Sequence, residues 1–257
     1  MRLDTLRILC AIKVIKDLEV NQMDIKGAYL NGIITEEIYM RQPPGFVSED
    51  NKVCHLCRSL YGLKQAGREW NRSLNLFLSN IGFQRATKEH CLYFRTEQKR
   101  FDVIGVWVDD LLILSKSPEN MGKIKNLINQ EFKATHQGTP KYMLGIEIEL
   151  DIKNHAIRLS QERYINKIID RFDLNNERLS DIPMTPHAKF SPSKDDENLV
   201  NITLHRSAIG SLMSFAIATH PDIAFAVNTL AQFNVKPSQT YWNAVIKIFR
   251  YLKCTKS

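Results

Sequence analysis

A chain of 257 residues, 44% hydrophobic and 25% charged, has the balance of a soluble globular protein and the length for one large domain or two small ones. No run approaches the roughly 18 apolar residues of a membrane span, and the charged N-terminal stretch MRLDTLRILCAIK reads as a helix rather than a signal peptide, so an intracellular setting without a membrane partner is expected. The net charge of +7 fits a polyanionic partner, while five cysteines read as free thiols, since Cys54 and Cys57 lack the second ligand pair that structural zinc needs.

In chain order, Leu3, Leu6, Leu9, Cys10 and Val14 recur at helical spacing behind the possible caps Asp4 and Thr5, predicting a helix over Arg2–Leu18 that packs on a sheet. LEVNQMDIKGAYLNG follows, with a short strand over Leu18–Ile25 running into Gly27, Ala28, Tyr29 and the turn pair Asn31-Gly32. Asp24 ends that strand, either as a carboxylate flanking a turn or as one member of a metal cluster completed by a neighbouring strand. Ile38–Val53 reads as a loop because Pro43, Pro44 and Gly45 exclude regular structure. Val53–Leu63 then leads into GLKQAGREW, and Trp70, Leu74, Phe77, Leu78 and Ile81, stopped by Gly82, predict the next helix. Lys64, Gln65 and Arg68 fall at or just before its N-terminus, where basic side chains and backbone donors hold phosphate or simply meet solvent.

The stretch FDVIGVWVDDLLILS is the most constrained of the chain. Val103–Val108 and Leu111–Leu114 are strand-forming runs interrupted only by Asp109 and Asp110. Burying two adjacent carboxylates would be costly, and a tight hairpin resolves the conflict by lifting them clear of the core. Such a tip is either a solvated Asp-Asp turn or a site where a divalent cation relieves the repulsion.

Further on, Met121, Ile124, Leu127, Ile128 and Phe132 predict a helix over Pro118–Phe132, and KYMLGIEIEL reads as strands. A helix over Gln161–Phe172 precedes a linker between Ser180 and Asn201, marked by Pro183, Pro186, Pro192 and the charge run Lys194–Glu197. Three helices follow around Leu204–Ala218, Asp222–Phe233 and Gln239–Leu252.

Three ordered stretches carry a family resemblance. QMDIKGAYLNG, VCHLCRSLYGLKQAGREW and VWVDDLLIL resemble the first carboxylate motif, the nucleotide-binding segment and the YVDD hairpin of the reverse transcriptase of copia-type long-terminal-repeat retrotransposons. The similarity continues through FKATHQGTPKYMLGIEI, LSQERYINKII and HRSAIGSLMSFAIATHPDIAFAVNTLAQF to YWNAVIKIFRYLKCT, nearly the whole chain.

The resemblance implies an α+β fold: a polymerase palm with an antiparallel sheet and packed helices over residues 1–150, then a mostly helical thumb and connection region over 151–257. It implies an RNA-directed DNA polymerase acting on a primed RNA or DNA template with deoxynucleoside triphosphates. Asp24, Asp109 and Asp110 are then the catalytic carboxylates, holding two Mg2+ ions, with Mn2+ as a substitute. Tyr29 matches the residue that rejects a 2′-hydroxyl, Gln65 a polar contact to the incoming nucleotide, and Lys64 and Arg68 electrostatic aids. Trp107 stands where the family more often has Tyr, and Met143, Leu144 and Gly145 match the primer-grip turn. Lys133 and His136 are either proton donors to pyrophosphate or surface charge. Lys236, Tyr241, Trp242, Lys247, Arg250 and Tyr251 either track a duplex backbone or belong to packed helices.

In the family a fingers segment precedes the helix at Arg2 and an RNase H domain follows RYLKGT, so association with a chain supplying fingers or RNase H is a further expectation. Two rival readings remain open: a non-catalytic transposon remnant that at most binds nucleic acid, and a different two-metal palm enzyme such as a nucleotidyl cyclase. Tyr29 and GLKQAGREW argue against the cyclase, which needs no sugar gate.

Overall fold

In the computed structural model, which describes residues 1–48, 52–97, 100–188, 190–191 and 199–256, the apolar runs flanking Asp109 and Asp110 form adjacent antiparallel strands. The chain divides into two compact units, Met1–Pro140 and Lys141–Ser257.

In the first unit, helix α1 (Leu3–Lys16) leads into strand β1 (Glu19–Ile25) and a 3₁₀ turn over Ala28–Asn31. Short strands β2 (Tyr39–Arg41) and β3 (Val53–His55) come next, then α2 (Ala66–Asn80), β4 (Gln84–Arg85), β5 (Leu92–Glu97), β6 (Arg100–Trp107), β7 (Asp110–Ser115), α3 (Pro118–Glu131) and β8 (Ala134–Gly138). Among the described residues six strands form one antiparallel sheet in the order β4-β5-β6-β7-β1-β8.

Side chains of a strand alternate between the sheet's faces, so cross-strand partners share a face. Met23, Leu111 and Val106 lie in one row, and this face packs on Trp70, Leu74 and Leu78 of α2 and Met121, Ile124 and Ile128 of α3. The next row, Gln22, Leu112 and Gly105, belongs to the opposite face. There α1 closes in: a Cβ on Gly105 would lie 2.8 Å from Leu9 Cδ1 and from Met1 Sδ, so only glycine admits the helix at this distance. Coverage of both faces explains why Leu111–Ser115 is buried without alternation, a pattern more usual in parallel sheets.

One expectation is corrected here. Ile38–Val53 is not wholly a loop, since its two ends pair as β2 and β3, with Tyr39 opposite His55 and Met40 opposite Cys54. Pro43 to Gly45 exclude regular structure only between the paired ends, where Gly45 adopts φ +86°.

The second unit begins with the strands β9 (Tyr142–Met143), β10 (Ile146–Asp151) and β11 (Ala156–Ser160), which form their own antiparallel sheet in the order β11-β10-β9. These strands belong with the helices that follow, which sets the division of the chain at Pro140 rather than at residue 150. Among the described residues four helices follow, α4 (Glu162–Arg171), α5 (Ile202–Ala218), α6 (Ala224–Ala231) and α7 (Gln239–Thr255), with a 3₁₀ turn at Pro221–Ile223 introducing α6. Their core gathers Ile165, Ile169, Leu212, Phe215, Val227, Leu230, Val245 and Phe249. Pro192 and the charge run Lys194–Glu197 lie outside the described residues. Among the described residues no helix is long and apolar enough to cross a membrane.

Candidate active site

Pairing of β6, β7, β1 and β8 lines up Trp107, Asp110, Asp24 and Thr135 as cross-strand neighbours. Asp24 therefore meets Asp110 directly across the sheet, although the two are far apart in sequence. The face they share is the one α1 covers at Gly105, two residues along β6 from Trp107, and Asp24, Asp109 and Asp110 are each partly exposed. Trp107 is 44% exposed at the end of this row.

Asp109 sits in the turn itself. Trp107 pairs with Asp110, leaving Val108 and Asp109 as the tip, and Val108 adopts φ +52°. A β-branched residue in the left-handed region is strained by about 1–3 kcal/mol, and such strain persists only when neighbours over-determine it. Two contacts do so: the Trp70 indole donates to the Val108 carbonyl at 2.7 Å, and the Ile25 amide donates to the Asp109 carbonyl at 2.8 Å. Trp70 of α2 and the end of β1 thereby fix the tip from two sides.

Electrostatically the site carries uncompensated negative charge. The Gln22 amide, itself buried, donates to Asp110 Oδ1 at 2.8 Å and favours the ionised form. Even so the Asp110 carboxyl is held above the usual carboxylate range, first by loss of hydration and then by the charges of Asp109 and Asp24. Among the described residues no group of three or more His, Cys, Asp or Glu side chains closes into a ready metal-ligand set. Strand pairing brings Asp24 and Asp110 together and the turn adds Asp109, but Asp110 is turned towards Gln22. The donor chemistry nonetheless fits a hard divalent cation: carboxylates on two facing strand ends and a third in the adjoining turn, all partly exposed.

Around this end, Tyr29 stands on the 3₁₀ turn after β1. That turn is tied to α2, because Gly32 approaches so closely that an added Cβ would lie 2.9 Å from the Trp70 backbone nitrogen and 2.8 Å from Ser59 Oγ. The Tyr29 ring lies 4.5 Å from that of Tyr61, a residue not singled out by its sequence position. Tyr61 is 58% exposed, and its hydroxyl is held above its ordinary range, first by lost hydration and then by Asp109, Tyr29 and Asp24. Lys64 and Gln65 directly precede α2, with Lys64 exposed and Gln65 as the capping residue.

Arg68 is otherwise engaged. Its guanidinium contacts Glu36 at 2.7 Å and the buried Glu69 at 2.7 Å, and those two carboxylates strengthen its hold on its proton. Glu69 also pairs with Arg72 at 3.0 Å. Lys133 is exposed, and its carbonyl accepts from the Lys26 amide at 2.8 Å. His136 lies 2.6 Å from the Asn129 side-chain amide.

In the second unit Met143 pairs with Ile146 across a two-residue turn in which Leu144 and Gly145 both have positive φ, 55° and 78°. This is the backbone a tight hairpin needs, with Leu144 taking the less comfortable place. The aromatic candidates of α7 are largely absorbed by packing: Tyr241 is 3% exposed and stacks on Phe233 at 4.6 Å, and Trp242 lies against Phe172. Arg250 contacts Glu177, Tyr251 donates to Asp222, and Lys247 donates to Thr185 at 2.9 Å.

Comparison with known proteins places the chain in a family. Residues 1–186 match the model of the family described as reverse transcriptase (RNA-dependent DNA polymerase). The chain is 34% identical over 264 residues to the retrovirus-related Pol polyprotein from transposon TNT 1-94 of Nicotiana tabacum, covering 99% of this chain and 20% of that protein. It is 34% identical over 253 residues to the Pol polyprotein from transposon RE1 of Arabidopsis thaliana, covering 98% of this chain and 17% of the relative. A Ty5-1 transposon protein of Saccharomyces cerevisiae is 35% identical over 237 residues, covering 91% of this chain and 76% of the relative. The chain thus spans a fifth or less of the two plant polyproteins. It belongs to the reverse transcriptase family, in the branch carried by the Pol polyproteins of copia-type retrotransposons.

Proposed function

We propose that this chain is the polymerising part of a copia-type Pol polyprotein, adding deoxynucleotides to a primer 3′-hydroxyl on an RNA or DNA template. The observation that carries the reading is the Asp24–Asp110 pair, set opposite each other at the open end of the sheet with Asp109 at the adjoining tip. In this reading the first unit is the palm and the second the thumb and connection region, which meets the primer through the Met143–Gly145 turn.

The reaction forms a bond between the primer oxygen and the α-phosphorus and breaks the bond to the pyrophosphate oxygen, with the hydroxyl proton leaving to solvent. Asp24, Asp109 and Asp110 would hold divalent magnesium, or manganese in its place, which supplies activation of the attacking hydroxyl and neutralisation of the departing charge. The residues of the chain do the positioning. Gln22 orients the Asp110 carboxylate, and Trp70 holds the hairpin tip that presents Asp109. Tyr29 excludes a ribose 2′-hydroxyl, Gln65 and Lys64 meet the nucleotide from the N-terminal end of α2, and Trp107 lies beside the primer end. Arg68 serves this reading as part of the clamp that joins Glu36 to α2, a structural role rather than direct phosphate binding.

The test is primer extension with magnesium and deoxynucleoside triphosphates, using the chain alone and joined to the fingers segment of a copia-type relative. Extension that disappears in Asp109→Asn is the expected result. No extension by either form, or extension unchanged by Asp109→Asn, would overturn the reading.

A further inference from the structure

Tyr61 has the wrong surroundings for a residue that serves only the fold. It is 58% exposed, yet its ring is packed on Tyr29 at 4.5 Å with planes inclined by 48°. It also lies within the electrostatic reach of Asp109 and Asp24, whose charges act on its hydroxyl. One aromatic ring thus joins the two features a nucleotide must meet in the proposed site, the sugar-facing Tyr29 and the carboxylates.

Tyr29 needs such a partner. Its backbone is secured from below: Ala28 is fully buried, Asn31 Nδ2 donates to the carbonyls of Gly27 at 3.2 Å and Ala28 at 3.3 Å, and Ser73 Oγ donates to the Asn31 carbonyl at 3.2 Å. These bonds fix the turn, and the half-buried ring packs on its inner side against the core of the first unit, leaving its outer side exposed. Tyr61 is the aromatic side chain that meets it there.

We infer that Tyr61 is a positioning residue for Tyr29, setting the angle at which the Tyr29 ring meets the ribose and so the strictness with which ribonucleotides are refused. This rests on the polymerase reading and adds a specificity determinant to it. A tilted aromatic pair of this kind implies a loss of discrimination of about twofold to tenfold when the outer ring is removed. The phenolic hydroxyl is not required for packing, so phenylalanine should serve as well as tyrosine.

The test avoids dependence on turnover. The chain is loaded with a dideoxy-terminated primer annealed to an RNA template, and equilibrium binding of dTTP and of ribothymidine triphosphate, which differs from it only by the 2′-hydroxyl, is measured with magnesium. The unaltered chain should prefer dTTP; Tyr61→Ala should reduce the preference about twofold to tenfold, and Tyr61→Phe should keep it. In a double-mutant cycle, Tyr61→Ala should add nothing to Tyr29→Ala, because its effect passes through that ring. Thermal melting of Tyr61→Ala and Tyr61→Leu should stay close to the unaltered chain, as befits an exposed side chain. Preference retained in Tyr61→Ala and Tyr61→Leu, or losses that multiply independently in the cycle, would overturn the role of Tyr61 and leave the polymerase reading standing. No magnesium-dependent dTTP binding by either the chain alone or the chain joined to the fingers segment would overturn both.

Discussion

Strands β6 and β7 carry carboxylates at both ends, and the two ends are built on opposite terms. At one end Asp102 is fully buried, paired with Arg95 at 2.8 Å and bonded by Ser115 Oγ at 2.6 Å. Arg95 in turn lies over the Phe83 ring at 4.7 Å and donates to the Ile81 carbonyl at 2.9 Å. Every charge there is answered from within. At the other end Asp24 and Asp110 lie opposite each other with Asp109 in the adjoining turn, the Gln22 amide bonds to Asp110, and the Asp110 carboxyl is correspondingly reluctant to ionise. A fold gains nothing by gathering like charges at the end of a sheet, and sites where local rules are broken while the surroundings are well built are where function is found. The closed cluster is architecture; the open one is what the proposed polymerase reading uses to hold a cation.

The largest effect should come from the open end. Asp110→Asn preserves shape and leaves an oxygen for Gln22, but removes a ligand charge, so extension should fall by about a thousandfold or more, the scale of losing several kcal/mol of transition-state stabilisation. The same substitution should raise the melting temperature in the absence of divalent ions by about 2 °C, a small gain because the group is only partly buried. Loss of activity accompanied by loss of stability would instead make Asp110 structural and erase the contrast between the two ends.

At the closed end the expected effect is on folding. Asp102→Ala strands the Arg95 guanidinium without its partner and should cost about 3–5 kcal/mol, read by urea denaturation. Replacing both members together, Asp102→Leu with Arg95→Met, should recover much of that loss, since a buried ion pair is worth little over apolar groups that fill its volume. A double variant as unstable as Asp102→Ala would mean that Ser115 and Ile81, rather than the pair, hold the cluster.

Gly32 tests how far the open end depends on its support. Its φ is −76°, so alanine meets no backbone strain, but the added Cβ would press on the Trp70 backbone and Ser59. Gly32→Ala should therefore cost about 1–3 kcal/mol by overpacking and loosen the Tyr29 turn, lowering discrimination between deoxy- and ribonucleotides in the binding assay. Stability and discrimination both unchanged would show that the turn is held by Asn31 and Ser73 alone.

Much of this architecture is legible in the sequence. Helical periodicity over Pro118–Phe132 corresponds to α3, and the FDVIGVWVDDLLILS run gives the hairpin, but its tip is Val108–Asp109: only Asp109 leaves the strands, while Asp110 belongs to β7 and loses hydration there. What escapes is whatever tertiary register decides. Ala134–Gly138 is half-exposed and carries no alternation, and it becomes a strand only because β1 offers it an edge. The division at Pro140 follows from which strands Tyr142–Met143 joins, a matter of pairing rather than composition. The family motifs mark Asp24 and Asp110 separately, whereas their opposition comes from the register of β1 on β7. Arg68 reads as a phosphate ligand until Glu36 arrives from a segment with no periodic signal. Tyr61 is invisible for a similar reason: an aromatic before Gly62 signals a turn but not what its ring will touch.

The smallest effect concerns a third way of burying a titratable group, in the second unit. His205 is fully buried; its Nδ1 lies 3.0 Å from Asn234 Oδ1, while Nε2 is buried without a partner. Burial holds its pKa below the ordinary 6.5, with the Asn234 contact opposing the shift only in part. His220 is shifted the same way by burial, against the opposing charge of Asp222. A folded-state value below the unfolded one means that the unfolded chain binds more protons as pH falls through the ordinary histidine range, so stability rises with pH there and is lost on acidification. The melting temperature should thus be lower at pH 5 than at pH 7.5, and His205→Gln, which can keep an amide contact to Asn234 without titrating, should flatten part of that dependence. Asp110, with its raised value, gives the opposite slope and so cannot mimic this signal. A pH dependence unchanged in His205→Gln would assign the acid sensitivity to His220 or to the first unit.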